Sequence, residues 1–213
     1  MRTLLIAFLL FGLSLPAQTL REKSWTPEEK EQLTKDLNAY MDALTLHDWE
    51  RMLDLIYPGL FQLSSREEIK KSLENGMNSL DYKMEIQPAA NVDIFPQYVE
   101  KDGKKYALIS YTNNFTMIFN KKESEDDLRF KARMDYVYHK FKKRYPAGQV
   151  MQGSEPGIFH FRIPKYMLAV YIPEKQSYTF IDFSNDEAHM ETLKKILDSE
   201  VVDYFAEKIK KEE

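Results

Sequence analysis

The spacing of the apolar residues changes sharply near Leu80, and that change constrains the fold more than any motif does. Before it, Leu33, Leu37, Tyr40, Met41 and Leu44 recur at helical spacing, and so do Ile69, Leu73 and Met77. After it, Tyr82, Met84 and Ile86 alternate with Lys83, Glu85 and Gln87, the pattern of a half-buried strand. Helices first and strands afterwards define an α+β chain.

Helix boundaries are written in cap chemistry. Thr26, Pro27, Glu28 and Glu29 read as an N-cap, a first-turn proline and an acidic first turn. Asp48 is the natural N-cap of a second helix, whose buried stripe is Trp49, Met52, Leu53 and Ile56 and which Pro58-Gly59 ends. Ser64 and Ser65 each precede a glutamate by three positions, a doubled capping-box signal for a third helix.

Strand signals then run over 82–87, 92–99 and 105–119, with Asp102-Gly103 as a hairpin turn before the last. Ile109, Tyr111, Asn113, Phe115 and Met117 share one face of that long strand. Residues 125–145 fit two periods. Phe130, Ala132, Met134, Tyr136 and Tyr138 alternate, but Phe130, Met134, Val137, Phe141 and Tyr145 follow helical spacing. The alternation fails at Lys140, so an inserted helix is expected, with Ser124 and Asp127 as its capping box and Pro146 and Gly148 as its end. Strands follow at 158–163, 167–172 and 178–183. A C-terminal helix over 186–211, broken near Asp198-Ser199, turns Leu193, Ile196, Leu197, Val202, Phe205 and Ile209 inward.

The first residues read as an export signal. Arg2 precedes an apolar run, Leu4 to Leu13, too short to span a bilayer, and Ser14-Leu15-Pro16-Ala17 offers cleavage after Ala17. Leu15 departs from the small residue preferred there. The expectation is a periplasmic or secreted bacterial protein with one domain over 18–213, and no integral membrane segment in the mature chain. There is no cysteine, so disulfides, zinc-thiolate sites, a thiol nucleophile and a lipid-bearing cysteine are excluded. Removing 1–17 takes away only Arg2 and moves the formal net charge from -4 to -5. That balance, with no long basic stripe, argues against nucleic acid and anionic membranes as partners.

The helix pair AYMDALTLHDWERMLDLIYPGLF, hinged at His47-Asp48, and the closing aromatic hairpin MLAVYIPEKQSYTFIDF carry a resemblance. In element order they resemble the nuclear transport factor 2-like superfamily over roughly residues 26–185. The resemblance implies a cone-like fold, with N-terminal helices packed in the concavity of a curved antiparallel sheet and an apolar pocket at its open end. The inserted helix and the C-terminal helix over 186–211 are additions to the minimal fold, placed to cover the mouth or to replace a dimer contact. Members include isomerases, cyclases, dehydratases and non-catalytic binders, and the fold does not choose among them. A ketosteroid-isomerase type of site needs a pocket-facing carboxylate base and a tyrosine or neutral acid at the oxyanion. No such set maps onto this chain, so the reading leans away from an enzyme.

The expected ligand pocket draws on Trp49, Tyr57, Tyr111, Asn113 and Tyr178, apolar bodies with a few polar atoms. Asp182, on one face with Tyr178 and Phe180, is the best candidate for a buried carboxylate, although a hairpin-paired aspartate is the simpler reading. His160 and Arg162 face away from Phe159, Phe161 and Ile163, as an exposed pair or an anion site. Asp182 and His160 are the weak candidates for a catalytic base, and His47 reads as a cap or turn residue. The histidines lack metal-ligand spacing, the glycines never cluster into a phosphate loop, and no cofactor is implied. Three roles follow: a binder of a small hydrophobic ligand, a small-molecule isomerase or cyclase, and an interaction module that dimerises or docks through the sheet.

Overall fold

The computed structural model describes residues 20–212, which form six α-helices and seven β-strands. The signal segment expected at 1–17 lies outside the described residues. The chain is α+β, with a curved antiparallel sheet that stays open, helices ahead of its main strands and a C-terminal helix.

A short strand, β1 (Arg21–Ser24), precedes α1 (Pro27–Thr45), α2 (Trp49–Leu55), a 3-10 turn (Pro58–Gln62) and α3 (Arg66–Met77). The caps stand where the sequence puts them. Thr26 with Glu29, and Ser65 with Glu68, form complete capping boxes, and Asp48 accepts the Arg51 backbone N–H at 3.2 Å. The chain turns between α1 and α2 at His47, whose φ of 58° is left-handed and whose ring stacks on Trp49 at 5.3 Å. Exposed ion pairs from Arg66 and Lys70 to Glu50, and from Arg66 to Asp54, join α3 to α2.

The strands are β2 (Tyr82–Ile94), β3 (Gln97–Lys101) and β4 (Lys104–Phe119), then α4 (Asp127–Arg144), β5 (Val150–Gln152), β6 (Ile158–Ile172) and β7 (Ser177–Phe183). Helices α5 (Glu187–Leu193) and α6 (Ser199–Glu212) end the chain. Asp102 and Gly103 both have positive φ, as the expected hairpin turn requires. The inserted segment is helical, but its N-cap is Asp126 rather than Ser124; the Asp126 carboxylate accepts the Arg129 N–H at 2.8 Å. Two expected boundaries move. Strand β2 continues through Pro88–Asn91 by two register shifts about Ala90, and the break comes at Phe95-Pro96 instead. Strand β6 runs unbroken through Pro164, joining what the pattern suggested were two strands.

Paired strands β4 and β6 form the spine of the sheet, from Tyr106↔Val170 to Ile118↔Ile158. Along β4 lie β2 and β3, with β1 beyond β3; along β6 lie β5 and β7. Helix α1 touches both β2 and β7, strands on opposite margins, so the sheet bends around it. Leu33 and Leu37 of α1 are buried on Tyr98, Ile109, Met167, Tyr178 and Phe180, and each contributes about 1.5–3 kcal/mol of apolar burial. Farther along the same face, Met134 of α4 packs on Phe115, Phe159 and Phe161. The opposite face carries Leu108, Leu168, Val170, Ile181 and Phe183 under Val201, Val202, Phe205 and Ile209 of α6. Glu22 of β1 accepts hydrogen bonds from Tyr204 and Lys208, tying α6 to the sheet margin.

On its far side from β4, β2 has no strand partner among the described residues, only the isolated bridge Asn78↔Lys83. That margin contains Pro88, both register shifts and Asn91 at φ 50°.

Candidate functional site

A hollow lies beyond the outer edge of β7, where six elements meet without filling the space between them. Its volume is about 280 Å³. Tyr40 and Leu44 of α1 form one wall, Met52 and Ile56 another, and Leu60 of the 3-10 turn with Ile69 and Leu73 of α3 a third. Phe180, Ile181 and Asp182 of β7 form the floor, and His189, Thr192, Leu193 and Ile196 close it from the α5 side.

Hydrogen bonds dock two of these walls on β7. The Tyr57 backbone N–H donates to the Phe180 carbonyl at 2.9 Å, which docks the end of α2 on the strand edge. His189 lies 3.1 Å through Nε2 from the Asp182 carbonyl, which docks α5 on the same strand two residues on. Tyr57 Oη donates to the Ile196 carbonyl at 3.2 Å and links the two supports. The helical stripe of α3 then places Ile69 and Leu73 over the gap, with the Arg66 and Lys70 ion pairs on the solvent side.

Ten lining residues are apolar, and four carry polar side chains: Tyr40, Asp182, His189 and Thr192. Thr192 donates to the Ala188 carbonyl at 2.9 Å. The Asp182 carbonyl can only accept, so His189 Nε2 carries the proton of that bond, and in the neutral imidazole Nδ1 is an acceptor. The Tyr40 ring packs on Phe180 at 5.1 Å, and its hydroxyl makes no hydrogen bond among the described residues. Burial, followed by the Asp182 charge, pushes the Tyr40 phenol up to about 12, so it is a neutral O–H at any physiological pH.

The five residues expected to line one pocket are distributed over the fold. Tyr178 is fully buried under α1, packed with Trp25 and Tyr171. Tyr57 is buried and serves as the strut just described. Trp49 packs beside Met52 and Leu53 and stacks on His47. Asn113 lies on the inner face between the α1 and α4 clusters, opposite Ile163. Tyr111 is on that face too, opposite Lys165; burial first, then Tyr40 and Asp182, raise its phenol. The inner face is therefore packed with rings, and the free volume sits at the margin of the sheet.

Asp182 and His160 lie on opposite faces of the sheet and cannot act on one substrate. Asp182 is not the buried carboxylate the pattern offered: its side chain is 50 % exposed and pairs across the hairpin with Lys165 at 3.4 Å. His160 is exposed, with Nδ1 2.9 Å from Thr116 Oγ1, which also accepts from Gln87 Nε2 at 3.1 Å. Arg162 is on the same exposed face, opposite Asn114. Among the described residues no group of three or more histidines and carboxylates could hold a metal ion. Nor, among the described residues, is any helix long and apolar enough to cross a membrane.

The sequence reading missed Tyr40, His189 and Thr192 as lining residues. Tyr40 was legible as an inward position of the first helix, whereas His189 and Thr192 carry no signal beyond their place near the start of the last helical segment. No protein-family model matches the chain, and no curated protein is significantly similar to it.

Proposed function

We propose that the protein is an exported, non-catalytic binder of a small hydrophobic molecule, held in the hollow beside β7. One observation carries this reading: a cavity of about 280 Å³ with ten apolar lining residues, two of its walls docked on β7 by hydrogen bonds. Ligand pockets run from roughly 300 to 1,000 Å³ and are mostly apolar with a few placed polar groups, so this one suits a compact ligand. Export is supported by the N-terminal apolar run and its small-residue end, Ser14 to Ala17. The order of helices and bent sheet supports kinship with the nuclear transport factor 2-like superfamily, with the binding volume displaced from the concave face to its margin.

Binding is favoured over catalysis because the cavity lining is mostly apolar and its one carboxylate, Asp182, is half exposed and paired with Lys165, not the buried base that proton abstraction needs. It is favoured over dimerisation through the sheet because α6 occupies much of the outer face. Native mass spectrometry of gently purified protein tests the reading against a Leu73→Trp variant, whose indole fills the hollow. The wild type should carry an adduct that the variant lacks while both unfold at similar temperatures. If no adduct is seen and apolar probes stabilise neither protein, the hollow is only a packing defect.

A further inference from the structure

We infer that the ligand is a neutral alcohol, its hydrocarbon body in the hollow and its hydroxyl seated between Tyr40 and Asp182. This rests on the binding role proposed above and adds the chemistry of the ligand's polar end.

The polar groups at the cavity are few, and their hydrogen-bonding capacities are fixed. Tyr40 brings an O–H that no described residue accepts. Asp182 brings a carboxylate with a single long contact, 3.4 Å to Lys165, and therefore unused acceptor capacity. The two residues line the same hollow, and the carboxylate is near enough to act on the Tyr40 phenol. His189 in its neutral form adds an acceptor, Nδ1, because Nε2 donates to the Asp182 carbonyl. Thr192 adds no donor, since its proton is given to the Ala188 carbonyl, and its oxygen can only accept.

One donor beside acceptors is the complement of a hydroxyl, which accepts once and donates once. A carboxylate would meet Asp182 as a like charge and find only Tyr40 to donate to it. An ammonium could accept nothing from Tyr40 and would sit beside the Lys165 ammonium already held on Asp182. A pure hydrocarbon would take up the apolar volume but strand the Tyr40 hydroxyl against it, at a cost.

The probes are menthol, menthyl chloride, menthylamine and menthane-carboxylate, which share one ring skeleton and differ at one substituent. Binding to the full chain is measured by titration calorimetry, with the Tyr40→Phe variant alongside. Phenylalanine keeps the ring against Phe180 and removes only the hydroxyl. Menthol should bind more tightly than the amine or the carboxylate, and the affinity ratio of menthol to menthyl chloride should fall about tenfold in Tyr40→Phe. An unchanged ratio, or tighter binding of the amine or the carboxylate, overturns the hydroxyl assignment while leaving the binding role standing. If none of the four binds the wild type, and Leu73→Trp behaves identically, the binding role fails and the assignment with it.

Discussion

The Asp36 carboxylate, in the middle of α1, accepts the backbone N–H of Tyr178 in β7 at 2.8 Å. Asp36 is 8 % exposed, and Gln32 Nε2 lies 2.9 Å from each of its oxygens. A charge this deep is retained because it anchors the first helix to the last strand, elements joined by no covalent neighbour. Asp36→Ala leaves a buried N–H without an acceptor, and urea unfolding should show a loss of about 2–3 kcal/mol. Asp36→Asn, which keeps an acceptor oxygen, should lose about half as much. Equal losses would show that charge, not the hydrogen bond, is what matters.

The cluster under α4 should behave as true core. Met134 is fully buried among Phe159, Phe161 and Val150. Met134→Ala should cost about 2–5 kcal/mol by equilibrium denaturation, as buried methionine truncations do. Tyr136, two residues away and 62 % exposed, is the control. Tyr136→Ala should stay within about 0.5 kcal/mol. Similar costs at both positions would contradict the helix, which points them to different sides.

Acid should loosen the start of α4. Arg133 bonds Glu125 at 2.7 and 2.9 Å, and chiefly this hydrogen bonding holds the Glu125 carboxyl at about 2 instead of its ordinary 4.5. A folded-state pKa depressed in this way contributes stability above about 4.5 that is lost as pH falls through about 2. The wild type should therefore exceed Glu125→Gln in stability at pH 6, and the gap should close on approach to pH 2. A gap independent of pH would assign the effect to packing.

Gly157 admits no side chain. Its φ of +91° is one that L residues rarely adopt, and a Cβ there would lie 2.7 Å from Phe130 Cζ and 3.2 Å from the Phe119 carbonyl oxygen. Gly157→Ala should destabilise by about 1–3 kcal/mol. Pairing it with Phe130→Leu, which relieves the ring contact, should recover part of that loss in a double-mutant cycle. Strict additivity of the two substitutions would mean that backbone strain alone is responsible.

Local chemistry made most of the helices legible. Thr26, Asp48 and Ser65 announce their helices because a cap is a contact between residues three apart, which a sequence displays directly. Met134 to Tyr145 outweighed the competing alternation for the same reason. Pro164 misled because proline lacks an N–H and ordinarily breaks a ladder. Here β4 bonds one side of β6, while on the other side its pairing with β5 ends at Phe161 and its pairing with β7 begins at Tyr166, so the missing donor faces a gap. The short strand β1 was invisible because its partner β3 is distant in sequence, and β5 because so few residues display no period. The hollow was invisible for a deeper reason. Tyr40, Leu73, Phe180 and His189 each look like ordinary inward or cap-proximal positions, and whether they touch is decided by helix offsets of a few ångströms that no period encodes.

The irregular outer margin of β2 bears on how this protein behaves when crowded. A straight, unpaired strand is a template on which another molecule can continue the ladder, and such growth leads to fibrils. Pro88 withholds a donor there, while the shifts about Ala90 and the left-handed Asn91 twist the remaining donors out of line. The regular row that ladder growth could copy therefore stops at Gln87, too short a template to favour cross-β assembly along that margin.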